Sequence, residues 1–174
     1  MPEGAADLHE RLEPLAFLVG TWRGLGVVGY PTIEDGRYEQ EVVFTHDGRP
    51  FLEYSSRTWI LDDDGTRVRQ SARESGWWRP GREPRDVEVM LAHPSGIVEV
   101  YVGEVAFRKV ELRSDVVART ETAKEVSALH RLYGIVEDTG LAYAVDMAAV
   151  DQPLQPHLSA RLTRVGQTED GPLS

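Results

Sequence analysis

The sequence predicts an all-β fold, a barrel of roughly ten antiparallel up-and-down strands behind a short N-terminal helix. Two observations carry that prediction. From Gly20 onward, short runs rich in β-branched and aromatic residues are divided by turn signals at Asp47-Gly48, Asp64-Gly65, Pro80-Gly81, Pro94-Ser95-Gly96 and Thr139-Gly140. No helical period of useful length interrupts them, so the crossovers a parallel sheet needs are missing and sequential pairing is favoured. Closing the sheet removes exposed edges, which favours a barrel over a sandwich. At this strand number the interior is wider than side chains fill, so a cavity for one small ligand is expected.

The helix is read from Asp7, a cap with Glu10 three residues on, while Leu8, Leu12 and Leu15 share a face and Pro14 keeps it short. Leu15 to Val19 then packs as a turn on the end of the sheet. Strands are expected at 22–29, 37–45, 51–61, 69–78, 87–92, 97–102, 107–112, 115–121, 128–136, 141–149 and 157–165, with neighbouring short ones able to merge. Gly20-Thr21-Trp22-Arg23-Gly24-Leu25-Gly26 marks the first strand. Its glycines allow a sharp bend and its tryptophan plugs one end of the barrel; a strand rather than a helix follows, so this is not a phosphate loop. Closure would bring the last strand alongside, where Arg161 or Arg164 could stack on Trp22. Residues 1–165 are expected to form one domain and the polar stretch 166–174 a frayed tail.

Composition excludes several chemistries. Without cysteine there is no disulfide, cysteine-ligated zinc, iron–sulfur cluster or thiol nucleophile, which fits a reducing compartment and sets the cytoplasm as the expected location. No apolar run reaches membrane-span length and the N-terminus does not read as a signal peptide, so a soluble protein is expected. The 29 acidic residues against 19 lysines and arginines give a net charge of -10, which repels nucleic acid. An anionic ligand would therefore need a local cation, and Lys124 gains interest for that reason.

The five histidines, His9, His46, His93, His130 and His157, form no close pair with zinc-site spacing. His46 and His93 precede turns and read as exposed; His130 lies mid-strand, hydrogen-bonded or on the surface. His157 follows Gln152-Pro153-Leu154-Gln155-Pro156, a loop stiffened by two prolines, at the start of the last strand. Strict alternation places it on the polar face with Ser159 and Arg161, opposite Leu158, Ala160 and Leu162, unless the first strand position escapes the ladder and turns to the barrel mouth. On the preceding strand Leu141, Tyr143, Val145 and Met147 alternate as an apolar wall. Asp62-Asp63-Asp64-Gly65 lacks the remaining ligand spacing of a calcium loop. No nucleophile–histidine–carboxylate set can be assembled from linear proximity.

These residues carry a resemblance. Gly-x-Trp-x-Gly-x-Gly at Gly20 to Gly26, Tyr30-Pro31-Thr32, His93-Pro94-Ser95-Gly96 with Glu99, Ala123-Lys124-Glu125-Val126, His130 to Gly134, Asp146-Met147-Ala148 and Gln155-Pro156-His157-Leu158 together resemble the nitrobindins, ferric-haem β-barrels also described as peroxynitrite isomerases. The glycine–tryptophan motif alone is shared with calycins such as the fatty-acid-binding proteins; the C-terminal histidine motif makes the likeness specific. The resemblance implies haem b with ferric iron at one open end of the barrel, His157 as its axial ligand, and Lys124, Thr32 and Met147 in contact with it. It also implies peroxynitrite and nitric oxide as ligands and is compatible with a homodimer. Two other readings stay open: a haem protein that binds, stores or senses nitric oxide without turnover, and a haem-free barrel carrying an apolar ligand.

Overall fold

The computed structural model describes residues 6–166, which form one 3-10 helix, Glu10–Leu18, and ten strands. The expected tail from residue 167 onward lies outside the described residues. The strands are β1 (Gly20–Tyr30), β2 (Ile33–Thr45), β3 (Leu52–Leu61), β4 (Arg67–Pro80), β5 (Asp86–His93), β6 (Ile97–Ala106), β7 (Lys109–Arg119), β8 (Val126–Val136), β9 (Gly140–Ala149) and β10 (Gln155–Arg164). Each pairs antiparallel with the next, and β1 pairs with β10 from Trp22↔Arg164 to Val28↔Leu158 to close the barrel. The two short strands expected at 107–112 and 115–121 are one, β7. The apparent break is a bulge: Val100 pairs with Val116 and Tyr101 with Ser114, so Asp115 is the extra residue.

The helix differs from expectation. It begins at Glu10 with His9 as cap, whose ring accepts the Arg11 N–H at 3.1 Å, and runs through Pro14 to Leu18 without a separate turn. Leu12, Leu15 and Leu18 are its buried residues. A spacing of three suits a 3-10 helix, in which side chains three apart eclipse, and Pro14 cannot donate to an α-helical ladder. No helix among the described residues is long and apolar enough to cross a membrane.

This helix precedes β1, so it closes the barrel end where odd-numbered strands begin. Trp22 Nε1 donates to Leu18 O at 2.9 Å, and Arg164, not Arg161, stacks over the Trp22 ring at 4.3 Å. The Arg164 guanidinium also donates to Phe17 O at 2.9 Å and to Val19 O. Gly24 and Gly26 are explained by close approach. A Cβ on Gly24 would collide with the Arg161 carbonyl, and one on Gly26 with the Tyr38 ring. Above this plug, rings fill the barrel: Phe44 meets Trp78 at 5.2 Å, Trp78 meets Tyr133 at 5.1 Å, and Tyr133 stacks on Tyr143 at 5.4 Å.

The opposite end is looser. The β4–β5 ladder covers only Ser75 to Pro80 of β4, and the β7–β8 ladder only Lys109 to Arg113 of β7, so the upper halves of these pairs separate. The barrel therefore widens where the turns at 31–32, 62–66, 94–96, 120–125 and 150–154 lie. Because Arg164 ties three segments at the plugged end, Arg164→Ala is expected to cost about 1–3 kcal/mol through the carbonyls it leaves unpaired. Urea unfolding checks this as a lowered midpoint with unchanged slope.

Candidate functional site: an imidazole at the mouth of the barrel

A cavity of about 330 Å3 occupies the loose end. Its walls are mostly apolar, with Val28, Ile33, Ile60, Leu129, Val145 and Met147 among them, and His157 and Leu158 contribute from β10. That two consecutive residues line it departs from strand alternation, and the β9–β10 register gives the reason. Pro156 pairs with Asp146 and Leu158 with the next residue, Val145, leaving His157 as the extra residue of a bulge. The strand begins at Gln155, so His157 is not its first residue, as expected, but its third. Pro156 brings no N–H and the bulge re-aims the imidazole into the cavity while Leu158, Ala160 and Leu162 keep the apolar phase.

The His157 ring is fixed on two sides. Nδ1 lies 3.1 Å from the Gly29 carbonyl, and since that oxygen can only accept, Nδ1 carries the proton and Nε2 presents its lone pair. Nε2 has no hydrogen-bond partner among the described residues. Tyr30 meets the ring edge-on, centroids 5.5 Å apart at 83°. The Tyr30 hydroxyl is anchored in turn, 3.0 Å from Met147 O and 3.2 Å from Ala149 O, while accepting the Ala149 N–H at 2.9 Å. Burial lowers the His157 pKa, the Gly29 bond opposes this and the Arg131 charge adds to it, with a net fall below the ordinary 6.5. The imidazole is thus held neutral, its metal-binding form.

All four residues implied by the resemblance stand at this end of the barrel. His157 and Met147 line the cavity. Lys124 and Thr32 are exposed on rim turns, each within two residues of a lining side chain, Val126 and Ile33 respectively.

A second, polar set on the cavity wall was not singled out in the sequence as a site. Arg131, buried on β8, donates to Glu74 Oε1 and Oε2 at 3.1 and 2.6 Å, to Glu99 at 3.3 Å, and to the Tyr101 and Tyr133 hydroxyls at 2.9 and 3.2 Å. Tyr54 donates to Glu74 at 2.6 Å, and Tyr101 to Glu99 at 3.1 Å. His93 closes the set, its Nε2 2.6 Å from Glu99 and its Nδ1 3.7 Å from Glu74. The expectation of an exposed turn histidine is corrected here. β5 runs through His93 to pair with Ile97, so the ring continues the inward phase of Val87, Val89 and Leu91. His46 is likewise half-buried, not exposed, with its Nδ1 shielded and without a hydrogen-bond partner among the described residues. His130 pairs with Glu111 at 2.9 Å, as expected of a hydrogen-bonded strand residue.

Burial would raise the Glu74 pKa, but the Arg131 charge and hydrogen bonds outweigh it and hold Glu74 down at about 2. For His93 burial works downward; the Glu99 bond and the two carboxylate charges outweigh it and the value ends raised. Glu74, His93 and Glu99 have the spacing of a metal triad, yet Arg131 already occupies both carboxylates. His157, free at Nε2, in the neutral form and surrounded by apolar walls, is the better fit for an iron porphyrin, whose flat hydrocarbon face needs such walls and whose metal needs one such nitrogen.

An antiparallel barrel closed at one end, with one oriented imidazole in an apolar cavity at the other, defines a cofactor- or ligand-binding barrel. The comparisons narrow the class. A family model described as "THAP4-like, heme-binding beta-barrel domain" matches residues 11–164, and the chain belongs to that family. It is 54% identical over 158 residues to the peroxynitrite isomerase of Nocardioides sp., covering 91% of this chain and 95% of that one. With the ferric nitrobindin-like protein of Thermobifida fusca it shares 45% over 173 residues, covering 92% and 97%. The crystal structure of Rv2717c from M. tuberculosis superposes with a TM-score of 0.81 at 43% identity, over 91% of this chain and 99% of the other.

Removing Arg131 would leave two carboxylates buried without their cation. Arg131→Met is expected to destabilise by about 3–5 kcal/mol in thermal or urea unfolding, and Arg131→Lys to restore only part, because the bidentate contact is lost. Glu74 stabilises fully above its unfolded value of 4.5, and that contribution disappears as pH falls toward about 2. An acid titration followed by tryptophan fluorescence is expected to show unfolding across that interval, shallower in Glu74→Gln.

Proposed function

We propose that the protein is a haem-binding barrel that isomerises peroxynitrite to nitrate and binds nitric oxide. The observation that carries this reading is His157: a bulge turns it into the cavity, the Gly29 carbonyl fixes its tautomer, and Nε2 faces the apolar space. In this reading His157 Nε2 would hold the iron of ferric haem b. Met147 and the aliphatic wall would pack on the porphyrin, and Lys124 and Thr32 on the rim would be placed to reach it, Lys124 supplying the cation a propionate needs. The fold is read as calycin-like, a single domain over 1–165, and pairing with a second copy belongs to the same proposal.

When bound, the haem iron supplies a redox-active Lewis acid at which the oxygen–oxygen bond of peroxynitrite can rearrange. The protein's own residues do the rest. Gly29 and Tyr30 hold the imidazole plane, so the ligand field does not depend on a mobile side chain. The apolar wall excludes water from the reacting anion. Peroxynitrite and nitrate are isomers of equal charge, so the conversion needs no net proton, oxidant or reductant. The rival apolar-acid carrier loses support from the wall itself, since Arg131, the buried cation that would take a carboxylate head group, is already bound by Glu74 and Glu99.

Protein purified with haem available is expected to show a Soret band that is lost or strongly shifted in His157→Ala while the apoprotein fold persists. Rapid mixing with peroxynitrite should then yield nitrate faster than buffer does. No band after haem addition sinks the proposal; a band with no acceleration leaves a nitric oxide binding protein.

A further inference from the structure

The polar wall of the cavity sets two carboxyl groups against one permanent cation, and among the described residues His93 is the further basic group in contact with both. It contains two carboxylates, Glu74 from β4 and Glu99 from β6, and one permanent cation, Arg131 from β8. Arg131 answers one carboxylate. The second is answered only when His93, from β5, carries a proton, and its ring stands where that proton would be shared, between Glu99 at 2.6 Å and Glu74 at 3.7 Å. The other titratable groups around this set are hydroxyls, those of Tyr54 on β3, Tyr101 on β6 and Tyr133 on β8, with Tyr38 on β2 and Tyr143 on β9 in the same cavity, all pushed upward chiefly by burial and so uncharged near neutrality. Glu74, His93, Glu99 and Arg131 all line the same cavity as His157.

Resting on the haem reading above, we propose that His93 sets the ligand selectivity of the cavity. With its proton the wall is neutral and small anions are admitted; without it one negative charge is in excess and anions are repelled, while a neutral ligand such as nitric oxide is indifferent. The physical reason is that a unit charge acts strongly across a partly desolvated cavity and weakly across water. The bond to Glu99 and the charge of Glu74 raise the His93 pKa against the effect of burial, so the change falls on the alkaline side of an ordinary histidine, where a surface histidine has already lost its proton. His93 is on this account a positioning residue: it holds or releases a proton on the wall and does not touch the iron.

Azide, an anionic probe, and nitric oxide, a neutral one, are titrated against the ferric haem-loaded protein between about pH 5.5 and 8.5. Azide affinity is expected to fall roughly tenfold more across this range in the unaltered protein than in His93→Gln, which should bind azide weakly throughout. Nitric oxide affinity should be the same in both. Glu99→Gln, which removes the excess charge, is expected to bind azide tightly with little pH dependence. Equal azide slopes in the unaltered protein and His93→Gln overturn the inference. So does a His93 imidazole that keeps one protonation state over that range in the NMR spectrum of the unaltered haem-free chain, a readout that needs neither variant to fold. Absence of a Soret band would instead sink the haem reading and the inference with it.

Discussion

The ladder between β1 and β10 is the contact on which the rest of the molecule depends. It joins the two ends of the chain, with the Gly29 carbonyl and His157 separated by 128 positions in sequence and 3.1 Å in space. At one end the same seam sets Arg164 on Trp22 and ties both to the 3-10 helix. At the other it supplies the acceptor that decides which nitrogen of His157 faces the cavity. The plug and the orientation of the His157 ring are products of one closure, so loosening the seam would disturb the site without touching any residue in it.

Between the two ends the interior is layered. Rings fill the plugged half, a buried ion network crosses the middle, and an apolar mouth remains open above. The order follows from what each layer tolerates. Charges in the interior persist only when paired and hydrogen-bonded, and Arg131 reaches five acceptor atoms contributed by three strands, its own included. The unpaired upper parts of β4–β5 and β7–β8 let the barrel spread at the mouth, where a flat cofactor would need to enter.

A bulge is a small device for the effect it has here. In a regular strand the residue before Leu158 would face solvent. One extra residue after Pro156 turns the ring inward without altering the phase of the rest of β10, so the barrel core and the inward imidazole are specified independently. The same fold without the bulge would hold a cavity with no imidazole from β10 turned into it, so this feature of the site resides in a local irregularity and not in the barrel.

The sequence by itself determined the all-β class, the sequential order, the tryptophan plug and five of the nine turns between strands, because alternation and glycine or proline turn chemistry are local; the turn at 107–108 lay inside an expected strand. It also singled out His157, Lys124, Thr32 and Met147 through motif likeness, and they stand at one end of the barrel because antiparallel strands return every second turn to the same side. Tertiary structure alone decided three things. His157 faces inward only because a pairing register skips a residue, and register is a relation between strands that no single strand displays. The Gly29 carbonyl is near it only because the barrel closes. His93, Glu74, Glu99 and Arg131 each occupy an inward phase, as Val89 and Leu91 or Leu129 and Tyr133 beside them suggest, but a charged residue in a strand reads as solvent-facing until its partners are seen. Those partners come from different strands, and long-range compensation of buried charge leaves no local mark in the chain.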